Sequence, residues 1–224
     1  MLPRVRKRAS DGSFGRDGFS RARGLGYGTA PGLYFEDGDA RGTHAGSKRQ
    51  GMDCPETMKA AVLFGFNDVR VVERPRPVPG PDDVLIRVES CGVCAGDLKM
   101  ISRGMLKQPP FGEFILGHEY SGTIVQVGSA IDEFAAGDRV AMEVHKGCGR
   151  CRNCLLGKYT ACLNYGDLAN GHRANGFTTM GGFAQYVVNH VNTVHRLSDG
   201  ISFDEAALVT LVVELPRFCG QLGV

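Results

Sequence analysis

Between Cys148 and Cys162 the chain places four cysteines as C-x2-C-x2-C-x7-C, and no other stretch restricts its fold so severely. Four thiolates at about 2.3 Å from one zinc ion complete a tetrahedron and leave no position for water or substrate, so such a cage is structural. Cys148, Cys151, Cys154 and Cys162 are the expected ligands. The 224 residues hold eight cysteines, a number that could also support disulfides. Half of them crowd into this one segment, however, and no apolar run follows the basic start as in a secretory leader. Zinc is therefore preferred over paired disulfides or an iron–sulfur cluster. Four thiolates around Zn2+ carry a net double negative charge. Lys146, Arg150, Arg152 and Lys158, within and beside the loop, are expected to offset it and to lower the thiol pKa values.

The rest of the chain divides by texture. Residues 1–57 carry eleven glycines, with 10 Lys/Arg against 7 Asp/Glu, which leaves 16 against 17 in residues 58–224. With neither a helical nor a strand period, residues 1–57 read as a disordered Gly/Arg-rich extension. Its first 35 residues contain only Asp11 and Asp17 as acids, as in a transit peptide, but helix-breaking glycines spoil an amphipathic helix. Cytoplasmic placement is the expectation, with organellar targeting only weakly signalled. A Gly/Arg tail can touch RNA, yet no RNP-like aromatic motif accompanies it and the net charge is only +2, so nucleic acid is not the expected partner. No apolar run approaches the ~18 residues of a membrane helix.

From Met58 onward, segments alternate with period 2 at Met58–Phe64, Val69–Glu73, Val84–Glu89, Gly122–Val127, Arg139–Val144 and Phe183–Val188, and these predict strands. Pro75, Pro77, Pro79 and Pro81 fix an extended connector between two of them. One helix start stands out: Ser202-Phe203-Asp204-Glu205 has the form of a capping box. Short strands with Gly-rich turns predict a mainly β fold, a compact barrel or sandwich.

A second set of metal-binding residue types stands at Cys91-Gly92-Val93-Cys94-Ala95-Gly96-Asp97 and Gly117-His118-Glu119. Each is weak alone. Taken with the cysteine loop and the strings MKAAVL, ESCGVCAGDLK, GHEYSGTIVQVG, GDRVAMEV, GGFAQYVV and VHRLSDGISFDEAALV, they make Met58–Val209 resemble the zinc-dependent medium-chain alcohol and polyol dehydrogenases. The resemblance implies a GroES-like, partly open β-barrel over residues 58–209 with two zinc ions, one structural and one catalytic. It implies Cys94 and His118 as catalytic ligands, Cys91 as a neighbour that does not ligate, Asp97 as the carboxylate that orients His118, and Glu119 as a second carboxylate behind the metal or a ligand. The reaction implied is oxidation of a small alcohol or polyol, the metal acidifying the hydroxyl and NAD or NADP taking the hydride.

The sequence departs from this family in three places. Gly96 stands where relatives usually carry the Ser or Thr that starts a proton relay, which tilts the reading toward polyols. Thr210 stands where a third ligand, Glu, is usual, and neither Glu214 nor Cys219 keeps the family register, so residues 210–224 read as a divergent tail. The family's Rossmann domain would follow Val209, and the 224 residues contain no strand–GxGxxG–helix unit, Gly24-Leu25-Gly26-Tyr27-Gly28 having neither the spacing nor a preceding strand. The chain reads as the catalytic domain alone. A non-catalytic zinc-binding module is the competing reading, and homo- or hetero-oligomeric pairing is open under both.

Overall fold

The computed structural model describes residues 52–208. β1 (Thr57–Gly65) points Met58, Ala60 and Val62 inward and Lys59 outward, then turns at Asn67 into antiparallel β2 (Asp68–Pro75). Asn67 has φ 57°, a left-handed conformation that asparagine tolerates better than most residues. β2 ends at Pro75, where the proline-rich connector begins.

Five antiparallel strands form the main sheet in the order β8-β3-β4-β5-β9: β3 (Asp83–Gly92), β4 (Glu119–Val127), β5 (Arg139–Met142), β8 (Tyr186–His190) and β9 (Val194–Arg196). Isolated bridges from Ala60 to Ala184 and from Val62 to Ile115 bring β1 against the chain beside this sheet, giving a curled, partly open barrel. β3 shows why the centre is rigid. Its Val84 and Ile86 enter a cluster with Tyr120, Ile124, Val140 and Val187, while Leu85 between them enters another with Met58, Val62, Val125 and Tyr186. Strand alternation has placed core on both faces.

A third cluster, Leu63, Met100, Phe114 and Leu116, seats α1 (Ala95–Arg103). Burying Met100 alone is worth about 1.5–3 kcal/mol. Two further helices are short: α2 (Arg152–Leu155) within the cysteine loop, and α3 (Phe203–Ala207) across the main sheet. β6 (His145–Lys146) and β7 (Arg173–Ala174) pair and pinch the base of the cysteine loop.

The mainly β expectation holds, with local differences. α1 lacks a conventional N-cap residue and was not foreseen. β6, β7 and β9 are too short for a period to register. The strand expected from Phe183 begins at Tyr186, because Gly181, Gly182 and Phe183 donate to Ile115, Gly117 and Leu116 instead. Met52–Glu56 belong to the packed unit: Met52 N–H donates to Val125 O (2.9 Å), Arg76 N–H donates to Glu56 O (2.8 Å), and Cys54 packs on the Leu85 cluster. The remainder of the expected extension, residues 1–51, and residues 209–224 with Thr210, Glu214 and Cys219, lie outside the described residues. No helix among the described residues is long and apolar enough to cross a membrane.

Candidate metal centres

The four loop sulfurs lie within 4.8 Å of one another. Cys148 Sγ to Cys154 Sγ and Cys151 Sγ to Cys162 Sγ are each 3.9 Å. A disulfide needs about 2.05 Å, whereas the edge of a tetrahedron with ~2.3 Å zinc–sulfur bonds is close to ~3.8 Å. The donor set therefore fits a zinc cage. Amides supply the hydrogen bonds that thiolates require: Cys151 N–H to Cys148 Sγ (3.3 Å), Cys154 N–H to Cys151 Sγ (3.5 Å), Asn164 N–H to Cys162 Sγ (3.4 Å) and Asn164 Nδ2 to Cys148 Sγ (3.3 Å). Such donors, led by the amide of Arg150, pull Cys148 down to about 6. Of the four expected cations, Lys146 lies close enough to interact with Cys148 while its Nζ donates to Gly171 O (3.2 Å), and Arg150 donates to Asn170 Oδ1 (3.5 Å). Sequence reasoning missed Asn164, whose role follows from the loop's return path.

The second site is assembled from two elements. Cys94 is the N-cap of α1, and Asp97 closes a capping box with it: Gly96 N–H donates to Cys94 Sγ (3.4 Å), and Cys94 N–H donates to Asp97 Oδ2 (2.9 Å). Asp97 Oδ1 accepts from Gly117 N–H (3.3 Å) and lies 3.3 Å from His118 Nδ1. One fully buried carboxylate thus starts the helix and faces the histidine ring. His118 Nδ1 is sealed from solvent, close enough to Asp97 for an ion pair yet too far off line for a hydrogen bond.

His118 Nε2 lies 4.0 Å from Glu119 Oε1 at the start of β4, and donor atoms of Cys94, His118 and Glu119 all lie within 4.8 Å of one another. Asp97 and Glu119 are both buried, and no lysine or arginine pairs with either among the described residues. A cation would offset two buried carboxylates beside a thiol and an imidazole, and this donor set suits zinc. Cys91 is not part of this donor cluster; its thiol donates to Gly92 O (3.7 Å) and is pushed up to about 12 mainly by burial. The structure brings Cys94, Asp97, His118 and Glu119 together as expected and leaves Cys91 outside.

Phe177, which the sequence did not single out, tilts against His118 with ring centres 4.4 Å apart. Gly176 allows this: a Cβ there would fall 2.4 Å from Gly117 O, and its φ is +74°. A separate cavity of about 550 Å3, lined by Met58, Ile115, Met180 and Tyr186 among others, does not include the Cys94, His118 or Glu119 side chains.

Residues 80–199 match the family profile described as alcohol dehydrogenase GroES-like domain. The chain is 37% identical over 160 residues to sorbitol dehydrogenase of Bacillus subtilis (strain 168), covering 69% of this chain and 42% of that relative. It is similar to the structure of acetophenone reductase from Geotrichum candidum NBRC 4597 in complex with NAD, at 32% identity and a TM-score of 0.62 over 70% of this chain and 45% of that one. Similarity extends to the cobalt- and zinc-bound thermostable alcohol dehydrogenase from Pyrobaculum aerophilum, at 31% identity and a TM-score of 0.59 over 69% and 45%. The chain spans less than half the length of each of these relatives. Fold, paired donor clusters and matched span agree: this chain belongs to the alcohol dehydrogenase GroES-like domain family, among the zinc-type medium-chain alcohol and polyol dehydrogenases.

Proposed function

We propose that this chain is the metal-holding domain of a zinc-dependent dehydrogenase that oxidises an alcohol or polyol, with NAD or NADP as hydride acceptor. The observation that carries the reading is the convergence of Cys94, His118 and Glu119, with Asp97 behind the histidine. Zinc held by these three residues would act as a Lewis acid on the substrate hydroxyl. Asp97 Oδ1, 3.3 Å from His118 Nδ1, would favour the ring proton on that nitrogen and leave the Nε2 lone pair for the metal beside Cys94 and Glu119. Phe177 covers one face of His118 and keeps water from it. Gly96 brings no hydroxyl, so the substrate proton leaves through water or a neighbouring substrate hydroxyl. The four cysteines of the loop hold a second, structural zinc. A polyol substrate is supported by the sorbitol dehydrogenase relative, and the nicotinamide acceptor by the acetophenone reductase complex with NAD.

Metal analysis tests both sites. The purified chain should hold about two zinc ions, and Cys151→Ala and His118→Ala about one each, since each substitution opens only one site. Undiminished zinc in His118→Ala would remove the open site from this reading.

A further inference from the structure

Two more ring nitrogens are sealed from solvent without a hydrogen bond, His145 Nδ1 and His172 Nε2. Both lie outside the two donor clusters. The rings are neighbours, with centres 6.2 Å apart and planes at 61°. Gly166 N–H donates to His172 Nδ1 at 2.9 Å. A backbone amide can only donate, so neutral His172 carries its proton on Nε2, and the sealed atom is an unmet donor. Burial, with Lys107 and Lys146 nearby, disfavours the charged imidazolium. Burial likewise disfavours a charge on His145, beside His172.

The two rings do not satisfy each other. A direct N–H···N bond of about 2.9 Å would bring their centres to about 5 Å or less. One oxygen bridging the two nitrogens at ordinary hydrogen-bond lengths is compatible with ring centres 6.2 Å apart. We propose that His145 Nδ1 and His172 Nε2 together hold a single hydroxyl oxygen. That oxygen accepts from His172 and either donates to or accepts from His145, so a hydroxyl suits both tautomers of His145. A metal ion does not fit, because the protonated His172 Nε2 has no lone pair to give. The site is enclosed, so admitting the oxygen requires one of the rings to rotate. Water is the smallest group with this chemistry. A terminal hydroxyl of a polyol presents the same atoms, and that source alone rests on the function proposed above.

The site has a consequence for the metal centre. His145 stacks on Phe177 (6.2 Å, 23°), and Phe177 lies against His118. Fixing His145 therefore fixes the wall beside a candidate ligand, which makes His145 and His172 positioning residues.

The test uses the zinc-loaded full chain with 15N-labelled histidine. Long-range 1H–15N correlation should show His172 as the Nε2–H tautomer, and the ring protons of both histidines should show contacts to a long-lived water. Titration with sorbitol separates the sources: a water contact that persists identifies water, and one replaced by a sorbitol contact identifies the polyol. A Nδ1–H tautomer for His172, or ring protons with neither contact, overturns the proposal. His145→Phe gives a second measure, since it keeps the ring stack and removes the nitrogen. The thermal midpoint should fall by about 2–4 °C as the oxygen loses a partner. An unchanged or higher midpoint would show that Nδ1 was simply unsatisfied, and the proposal would fail. A zinc count below two overturns the proposed function and leaves this oxygen site standing.

Discussion

The two donor clusters reach similar compactness by opposite routes. The cysteine cage draws every ligand from one loop, closed by the His145–Lys146 and Arg173–Ala174 pairing. The open site takes Cys94 from the start of a helix and His118 and Glu119 from the start of a strand, joined through the Asp97 carboxylate. On the proposed reading, an ion in the first would organise a loop with little core of its own. In the second, the barrel has already placed the donors, and metal would add little to the fold. Zinc should therefore be a folding component at the cage and a detachable component at the open site.

Exchanging the roles of the two sites is the strongest way to break this contrast. Cys151→Ala should destabilise the chain by about 4 kcal/mol or more, since loss of a structural metal belongs to the largest class of single-residue effects. Asp97→Asn should instead weaken zinc at the open site about 10–100-fold. It leaves one of the two amides, Cys94 or Gly117, without an acceptor, while the cage keeps its ion. Urea unfolding with parallel zinc titration separates the two. Equal stability losses would mean that both ions serve the fold alike.

How legible each region was follows from the same contrast. The cage could be read because fifteen consecutive residues contain all its ligands. The Ser202 capping box was equally visible, with Glu205 N–H donating to Ser202 Oγ (3.2 Å) and Ser202 N–H to Glu205 Oε2 (2.9 Å). The Cys94–Asp97 box has the same geometry but was hidden, because cysteine is not among the residues that usually cap helices. Residue by residue, the open site was expected only through family resemblance. The stack of His118, Phe177 and His145 could not be read at all, since it depends on how β6, β7 and Gly176 fold the chain back.

His145 adjoins both regions, lining a cavity of about 250 Å3 with Cys154 while stacking on Phe177. Burial, and then His172, push its pKa down to about 4 from an ordinary 6.5. The folded state therefore resists protonation more than the unfolded chain does. The associated stability is fully present above pH 6.5 and is lost progressively as pH falls toward 4, by about 3 kcal/mol in all. Comparing unfolding of the wild type and His145→Gln across this range cancels the zinc release common to both. Parallel curves would show that His145 does not titrate in this way.

The smallest test asks how much room each site leaves for one added carbon. At Gly147 a Cβ would lie 2.7 Å from Cys154 Sγ and 2.6 Å from Tyr159 Cβ, closer than side chains approach. Tyr159 cannot easily yield, because its hydroxyl donates to Glu143, so the added carbon presses on the cage sulfur. At Gly96 the same carbon would sit 3.7 Å from Cys94 Sγ and 3.5 Å from His118 Cε1, ordinary contact distances. Gly147→Ala should thus cost about 1–3 kcal/mol by overpacking and loosen zinc in the cage. Gly96→Ala should be nearly neutral, or slightly stabilising through helix propensity in the first turn of α1. Thermal unfolding and zinc content of the two variants decide it. A neutral Gly147→Ala would show that the cage is as forgiving as the open site, and the distinction between an ion that shapes its loop and an ion received by a finished fold would lose its structural basis.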